Sequence, residues 1–216
     1  MRIADFHPNR FVAPANITRE MQKRYVTLFP EGGTIADLGC GEGIFLDLLK
    51  ESGRKGIGID LTQDFINKCR NREHEAHVQD VFEFLNENPG KFDGVFASHL
   101  IEHFQTKDGL QLLELIYDSL ATNGLLVLIT PTYRDIRVSS ERFWLDISHV
   151  RPYPLPLLIE VFQHLGFKVQ EKGFTKDERG WFQPKRIFRN AYYLLSKLRF
   201  GRYYGLGDTI IVGKKV

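Results

Sequence analysis

The sequence predicts an α/β fold with a doubly wound, mostly parallel β-sheet and helices on both of its faces. Three observations support this prediction. Apolar segments of strand length alternate with helical patterns through most of the 216 residues. A glycine-rich loop, 39–43, directly follows the first predicted strand and precedes a helix. Two predicted strands near the end of the chain are expected to add an antiparallel edge.

The first half of the chain shows the alternation most clearly. Asn16 or Thr18 can cap the first helix, and the turn 29–33 separates that helix from the first strand. Apolar residues at helical spacing predict the helix after the glycine loop, and Ser52-Gly53 ends it. In order, the predicted elements are helix 17–28, strand 34–38, helix 44–51, strand 56–60, helix 63–71, strand 77–78 and helix 81–86.

The second half continues the alternation until an irregular segment, 133–156, interrupts it. Asn123-Gly124 is expected to turn the chain into an apolar strand that Pro131 ends. Gly166 is expected to close the helix before the penultimate strand. In order, the predicted elements are strand 92–97, helix 107–120, strand 125–130, helix 157–165, strand 167–172, helix 187–198 and strand 209–212.

Length and composition fit one globular domain, 1–216, with a sizeable core. Within it we expect an N-terminal helical lid, 1–30, and a basic aromatic helical insertion, 174–207, before the last strand. Two cysteines are too few for a disulfide framework, and neither a signal peptide nor a membrane-spanning run is expected. These features indicate a cytoplasmic location.

The glycine loop and its acidic neighbours indicate the kind of cofactor. Asp37 ends the first strand, Asp60 ends the second, 17 residues after Gly43, and Asp80 follows the third. A dinucleotide site has G-x-G-x-x-G spacing, whereas this loop has G-x-G-x-G and no basic phosphate ligand. An acidic entrance suits a sulfonium cation with an amino group better than a pyrophosphate. The sequence therefore predicts a site for S-adenosylmethionine (SAM).

The order of these motifs resembles the class I SAM-dependent methyltransferases, over about residues 21–174 and the final strand. The resemblance implies a seven-stranded sheet with the last strand antiparallel. It places the methionine part of SAM at the glycine loop, the ribose at Asp60, the adenine beside Leu61, Asp80 and Val81, and the methyl group beside the end of the fourth strand. The cofactor-binding residues that it implies are Asp37, Gly39, Cys40, Gly41, Asp60, Leu61, Asp80, Val81, Ser98, Gln22 and Tyr25.

Three further segments, 20–25, 99–103 and 143–152, resemble one bacterial branch of that family. Its members occur with glycosyltransferases in cell-surface polysaccharide synthesis, including O-antigen chain termination. This resemblance implies that Gln22 and Tyr25 close over the cofactor. The chain departs from the branch at Thr132, where Asn is usual, and at Glu42, where Arg is frequent, and both departures leave the acceptor open.

Histidines in the polar segments are the candidates for acceptor chemistry. A sugar hydroxyl is a weak nucleophile, so a general base is expected to help. His149 is the first candidate, with Asp146 orienting its ring, and His99 is the alternative; a structural role for His149 and Asp146 also remains open. His103, Arg151 and Tyr153 are the expected acceptor contacts, with a capping or packing role as the alternative for His103.

No metal is expected, because the sequence has no zinc-ligand spacing and no Asp-Asn pair after the fifth strand. The segment 184–204 carries six basic residues and no acid in a chain of net charge +2. Its aromatics suit a membrane surface or an anionic, lipid-linked acceptor, and nucleic acid less well; an ordinary packed helix is the other interpretation.

Three functions therefore remain open for the acceptor side. The first is O-methylation of a sugar hydroxyl, or of a terminal sugar phosphate, in glycan synthesis. The second is methylation of a quinone-like or other small molecule. The third is a SAM-binding regulatory subunit without catalysis, against which the complete cofactor motif and the polar segment 143–152 argue.

Overall fold

The computed structural model describes residues 14–133, 136–174 and 208–216, and for residues 136 and 137 it describes the backbone only. A seven-stranded sheet has the order β3-β2-β1-β4-β5-β7-β6. Strands β1 to β5 run parallel to one another, and β7 lies antiparallel between β5 and β6. The predicted doubly wound, mostly parallel α/β fold is thus confirmed.

The elements follow the predicted order closely. The helices are α1 Ala15–Val26, α2 Ile44–Glu51, α3 Gln63–Asn71, α4 Val81–Asn86, α5 Thr106–Ser119, α6 Ile136–Ser140 and α7 Leu155–Leu165. The strands are β1 Thr34–Leu38, β2 Lys55–Asp60, β3 Glu75–Val78, β4 Phe92–Ser98, β5 Leu120–Thr130, β6 Phe167–Phe174 and β7 Thr209–Lys215.

Two parts of the second half differ from the prediction. Strand β5 already begins at Leu120, and Asn123 does not form a turn before the strand but adopts a left-handed φ of 68° within it. The pairing of β4 with β5 shifts register at this point, so the extra residues form a bulge. The segment predicted to be irregular contains the short helix α6 and a 3₁₀ turn, Arg142–Leu145.

The hydrophobic core lies on both faces of the sheet, because successive strand residues point to opposite sides. On one face, Phe96 of β4 packs with the buried residues of α1 and α2. On the other face, Val95 and Ala97 pack with α4, α5 and α7. This arrangement leaves the carboxyl ends of β1, β4 and β5 side by side, where the chain changes its winding direction and a ligand can enter.

Several sequence predictions fall on residues that the structure does not describe. They are the first part of the lid, 1–13, and most of the basic insertion, including helix 187–198 and the segment 184–204. Within the described ranges, no helix combines the length and the apolar character needed to cross a membrane.

Candidate functional site

The glycine loop turns sharply between β1 and α2. The backbone N–H groups of Gly39 and Cys40 both donate to the carbonyl of Ile59, at 2.8 and 3.0 Å, which ties the loop to β2. Gly39 and Gly41 have left-handed φ values of 69° and 51°, a conformation that other residues adopt only with strain. A Cβ atom at Gly41 would meet nothing within 4 Å, so open space lies over the loop for a ligand.

The carboxylate of Asp60 at the end of β2 is held in place by the backbone. One oxygen, Oδ2, accepts the N–H of Gly41 at 3.0 Å, and the other, Oδ1, accepts the N–H of Thr62 at 2.8 Å. Each carboxylate oxygen can accept two hydrogen bonds, so one lone pair on each remains for a ligand. Two adjacent ribose hydroxyls match this pair of acceptors.

Asp37 provides the test of whether a cationic ligand fits. Its side chain is only 3% exposed, and its Oδ2 atom has no hydrogen-bond partner among the described residues. Burial raises the pKa of Asp37 well above its usual range, and the nearby Cys69 thiol and Asp60 carboxylate raise it further. A buried carboxylate without a partner is costly, and the amino group of SAM would supply both the missing donor and the opposite charge.

The residues predicted to contact adenine differ in their surroundings. Leu61 directly follows Asp60 and is 70% exposed, an apolar surface against which a flat ring can pack. Asp80 caps the first turn of α4, where its Oδ1 accepts the N–H groups of Phe82 at 2.8 Å and Glu83 at 3.3 Å. Val81 is buried in the core beneath. Asp80 therefore has a structural role in addition to the predicted adenine contact.

Three other residues predicted to bind the cofactor are packed more deeply. The side chain of Cys40 is buried with Cys69 beneath the glycine loop, so a contact through that side chain is not supported. Tyr25 is buried on the sheet with its ring 6.2 Å from that of Phe96, which makes it part of the anchoring of α1. Gln22, one turn earlier, has a buried Oε1 atom without a hydrogen-bond partner among the described residues.

After β4 the chain bends toward the region in which the acceptor is predicted to bind. Ser98 ends the strand and pairs with Ile129 of β5. His99 follows with a left-handed φ of 56°, and its N–H donates to the carbonyl of Ile129 at 2.9 Å. A 3₁₀ turn, Ile101–His103, then places Glu102 under the site.

Glu102 connects three segments of the site although its side chain is fully buried, at 0% exposure. Its Oε2 accepts the hydroxyl of Thr130 at the end of β5, at 3.0 Å. Its backbone carbonyl accepts the N–H groups of Val150 and Arg151, at 2.8 and 3.3 Å. In the sequence, Glu102 and His103 form a pair that is also common in methyltransferases of quinone-like molecules, and no separate role was predicted for Glu102. Its position after a buried strand, inside the segment 99–103, was the available signal.

His149 is held differently from the prediction. Its Nδ1 atom lies 2.7 Å from the carbonyl oxygen of Phe143, and its side chain is 12% exposed. Asp146 does not make the orienting hydrogen bond to Nδ1. Its Oδ1 instead accepts the N–H and the hydroxyl of Ser148, and its Oδ2 lies 3.9 Å from Nε2 of His149. A backbone carbonyl thus takes the place of the expected carboxylate.

The two carboxylates beside His99 favour its protonated form, which cannot act as a general base. Desolvation lowers the pKa of His99, but Asp208 and Glu102 outweigh it and raise that pKa well above its usual value. Nε2 of His99 lies 3.4 Å from Asp208, and Nδ1 lies 3.3 Å from Glu102. A protonated imidazole cannot accept a proton, so the geometry favours His99 as a bound cation. Sequence reasoning missed Asp208, although the antiparallel last strand brings its start beside the end of β5.

The predicted acceptor contacts separate into two groups. His103 lies beside His149, with ring centroids 4.8 Å apart. Tyr153 is instead buried, and its hydroxyl donates to the carbonyls of Phe104 and Gln105 at 3.0 and 3.2 Å. Arg151 stacks over the Tyr153 ring at 4.9 Å and donates to Thr106. The predicted acceptor roles of Tyr153 and Arg151 are therefore not supported, because both side chains bind their own chain.

The fold, the glycine loop and the acidic ligands define a class I SAM-dependent methyltransferase. A family model described as a methyltransferase domain matches residues 11–172, and the chain belongs to this family. A solved SAM-dependent methyltransferase from Archaeoglobus fulgidus is 26% identical, with a TM-score of 0.78 over 96% of this chain and 97% of that one.

Two curated relatives match shorter parts of the chain. The tRNA (carboxymethyluridine(34)-5-O)-methyltransferase alkbh8 of Xenopus tropicalis is 32% identical over 84 residues, which are 39% of this chain and 13% of that protein. The ubiquinone biosynthesis O-methyltransferase of Xanthomonas campestris is 29% identical over 105 residues, which are 46% of this chain and 43% of that enzyme. The chain thus spans less than half the length of each of these two relatives.

Proposed function

We propose that this chain transfers the methyl group of SAM to a hydroxyl oxygen of a small-molecule or glycan acceptor. The observation that carries the proposal is the tautomer of His149. A carbonyl oxygen only accepts hydrogen bonds, so Nδ1 of His149 must donate its N–H to Phe143, and in the neutral ring Nε2 carries the lone pair. That lone pair lies near the carboxyl ends of β4 and β5, where it can take a proton from an acceptor.

Bound SAM supplies an electrophilic methyl group and a neutral thioether leaving group. The chain's own residues would hold SAM in place, with Asp60 binding the ribose hydroxyls and Asp37 binding the amino group. Alignment of the acceptor oxygen with the methyl carbon supplies much of the rate in such a displacement. Nε2 of His149 accepts the hydroxyl proton, which is expected to add about 10²- to 10⁴-fold.

The finer part of the proposal is the acceptor, a sugar hydroxyl or terminal sugar phosphate of a glycan precursor. It is supported by the resemblance of the segment 143–152, which supplies His149, to the polysaccharide branch of methyltransferases. The basic residues of the insertion suit an anionic acceptor such as a sugar phosphate or nucleotide sugar.

A second candidate is the hydroxyl of a quinone-like phenol. The observation that favours it is the match to a ubiquinone biosynthesis O-methyltransferase, which covers 46% of this chain. A phenol loses its proton more readily than a sugar hydroxyl, so turnover of a phenol would depend less on His149. The loss of turnover when His149 is replaced therefore distinguishes a sugar acceptor from a phenol acceptor.

The experiment is a transfer assay with SAM labelled in its methyl group and three panels of acceptors: nucleotide sugars and sugar phosphates, oligosaccharides, and dihydroxybenzoate-type phenols. The variant is His149→Ala, and the matched control is His164→Ala, an exposed histidine of α7. We expect sugar methylation to fall at least 100-fold in His149→Ala, with SAM affinity within twofold and His164→Ala unchanged.

Two outcomes would contradict the proposal. Turnover of a sugar at the wild-type rate by His149→Ala would exclude His149 as the proton acceptor. Tight SAM binding without label transfer to any panel would favour the third function, a SAM-binding regulatory subunit. Label transfer confined to phenols would establish the second candidate in place of the first.

A further inference from the structure

A cluster of three potential metal ligands lies beside the proposed acceptor site. Glu102 and His103 belong to the 3₁₀ turn after β4, and His149 belongs to the segment before α7. One ligand atom from each, a carboxylate oxygen and two ring nitrogens, lies within 4.8 Å of the other two. Residues far apart in the sequence are thus brought together around one small space.

Both histidines are fixed in the tautomer that binds a metal through Nε2. Nδ1 of His103 lies 3.2 Å from the carbonyl oxygen of Ser148, and Nδ1 of His149 lies 2.7 Å from that of Phe143. Because carbonyl oxygens only accept, Nδ1 must carry the proton in each ring, and Nε2 of the neutral ring is left with its lone pair. Metal-binding histidines typically donate their other N–H to a carbonyl or a carboxylate in this way.

Glu102 supplies an independent indication of a ligand. Its side chain is fully buried, and its Oε1 atom has no hydrogen-bond partner among the described residues. Nδ1 of His99 lies 3.3 Å from this oxygen, close enough for an ion pair, although the geometry of a hydrogen bond is not met. The other oxygen, Oε2, is already bound to the hydroxyl of Thr130, which holds the carboxylate in one orientation. A carboxylate oxygen can accept two hydrogen bonds, and this buried one accepts none, so it retains the capacity to bind a ligand.

The spacing is close to that of a coordinated cation. Nε2 of His149 lies 3.9 Å from Oε1 of Glu102, too far for a hydrogen bond. Two ligands, each about 2.1 Å from a cation, lie roughly 3.0–3.5 Å apart at tetrahedral or octahedral angles. Small rotations of the side chains would therefore close the three ligands around one ion.

We propose that Oε1 of Glu102 and the Nε2 atoms of His103 and His149 bind one divalent first-row transition-metal ion. Two imidazoles suit Zn²⁺, Co²⁺ or Fe²⁺, whereas Mg²⁺ and Ca²⁺ prefer oxygen ligands alone. Three protein ligands leave at least one coordination position open, as in catalytic metal sites. This position faces the space in which the proposed acceptor would lie.

The consequence for catalysis rests on the proposed function. A cation bound here would coordinate the acceptor hydroxyl and lower its pKa, so that its proton passes to water. The oxygen then forms a bond to the methyl carbon, and the carbon–sulfur bond breaks with its electron pair remaining on sulfur. In the metal-bound protein His149 is a ligand, and its lone pair no longer accepts the proton.

The test measures metal binding directly, without an acceptor. The full chain is freed of metal with a chelator and titrated with Zn²⁺ by calorimetry and with Co²⁺ by visible absorption. We expect one ion per chain, with Co²⁺ bands typical of nitrogen and oxygen ligands. Glu102→Gln and His149→Ala should each weaken binding at least 100-fold, whereas His164→Ala should bind as the wild type does. Circular dichroism would establish that each variant is folded.

Some results would overturn the metal site. They are the absence of Zn²⁺ binding by the wild-type chain in calorimetry, or equal affinity in the wild type and His149→Ala. If one ion binds and the transfer assay fails with every acceptor, the proposed function is wrong and the metal site stands. If transfer occurs and neither a chelator nor added Zn²⁺ alters its rate or its pH profile, the catalytic role of the cation is wrong.

Discussion

Replacement of Asp60 by Asn tests the cofactor site with a minimal change of shape. In the structure the two oxygens of Asp60 accept the N–H groups of Gly41 and Thr62, which keeps the carboxylate at the end of β2. The amide of Asn has one oxygen, so its NH₂ group must face one of these two donors. Asp60→Asn therefore removes the charge that the ribose hydroxyls would meet and also one bond that positions the side chain.

The magnitude follows from the bonds that are lost. A hydrogen bond to a charged group contributes about 1.5–3 kcal/mol, and Asp60→Asn loses the equivalent of one such bond to the ribose. SAM affinity should then fall about 10- to 150-fold. Isothermal titration calorimetry with SAM measures this directly. Asp64→Asn is the matched control, because it makes the same change of charge at an exposed position in the first turn of α3.

The two variants together can refute the assignment. An affinity of Asp60→Asn within twofold of the wild type would mean that Asp60 does not bind the ribose. An equal loss in Asp64→Asn would mean that the general negative charge of this region attracts SAM. Melting temperatures measured without SAM would separate a weakened site from a weakened fold.

Two further predictions concern residues around the acceptor side. Tyr153→Phe removes the one hydroxyl hydrogen that the carbonyls of Phe104 and Gln105 share and should cost about 0.5–1.5 kcal/mol in urea unfolding; no measurable loss would contradict a stabilising role for this hydroxyl. Asp208→Asn should lower the raised pKa of His99 toward its ordinary value, measured by NMR titration, and an unchanged pKa would show that Asp208 is not its cause. Because the folded-state pKa is raised, His99 stabilises the fold below its unfolded pKa of about 6.5, and this contribution is lost as pH rises through the folded pKa. Asp208→Asn should reduce that pH dependence.

The acceptor site was harder to predict than the cofactor site because its partners come from separate segments. The residues 99–103, 143–149 and 208 are distant in sequence, and their contacts arise only when β4, β5 and β7 lie together. The sequence therefore indicated His149 as a proton acceptor but paired it with Asp146, its near neighbour. In the structure the backbone of Phe143 holds that ring, and Glu102 connects the segments.

Tyr153 is a second residue whose role could not be predicted from its near neighbours in the sequence. Its place in a polar segment beside Arg151 suggested an acceptor contact, yet its ring is buried. Its hydroxyl lies against Gly109 of α5, and a Cβ atom added to that glycine would come within 2.0 Å of the hydroxyl oxygen. A tyrosine with an apolar ring and a polar tip suits both positions, so local sequence does not distinguish them. The glycine of α5 that makes room for Tyr153 was the signal, and it lies 44 residues away.

The sequence by itself determined the alternation of strands and helices and the cofactor loop, because both depend on interactions between near neighbours in the chain. Periodic apolar residues define each element, and the G-x-G-x-G loop with Asp37 and Asp60 belongs to two consecutive strand ends. Only the tertiary structure decided the carboxylate partners of His99, the tautomers of the paired histidines and the position of the Glu102 oxygen that accepts no hydrogen bond. Those properties depend on burial and on distances of a few ångströms between segments that the folded sheet brings together.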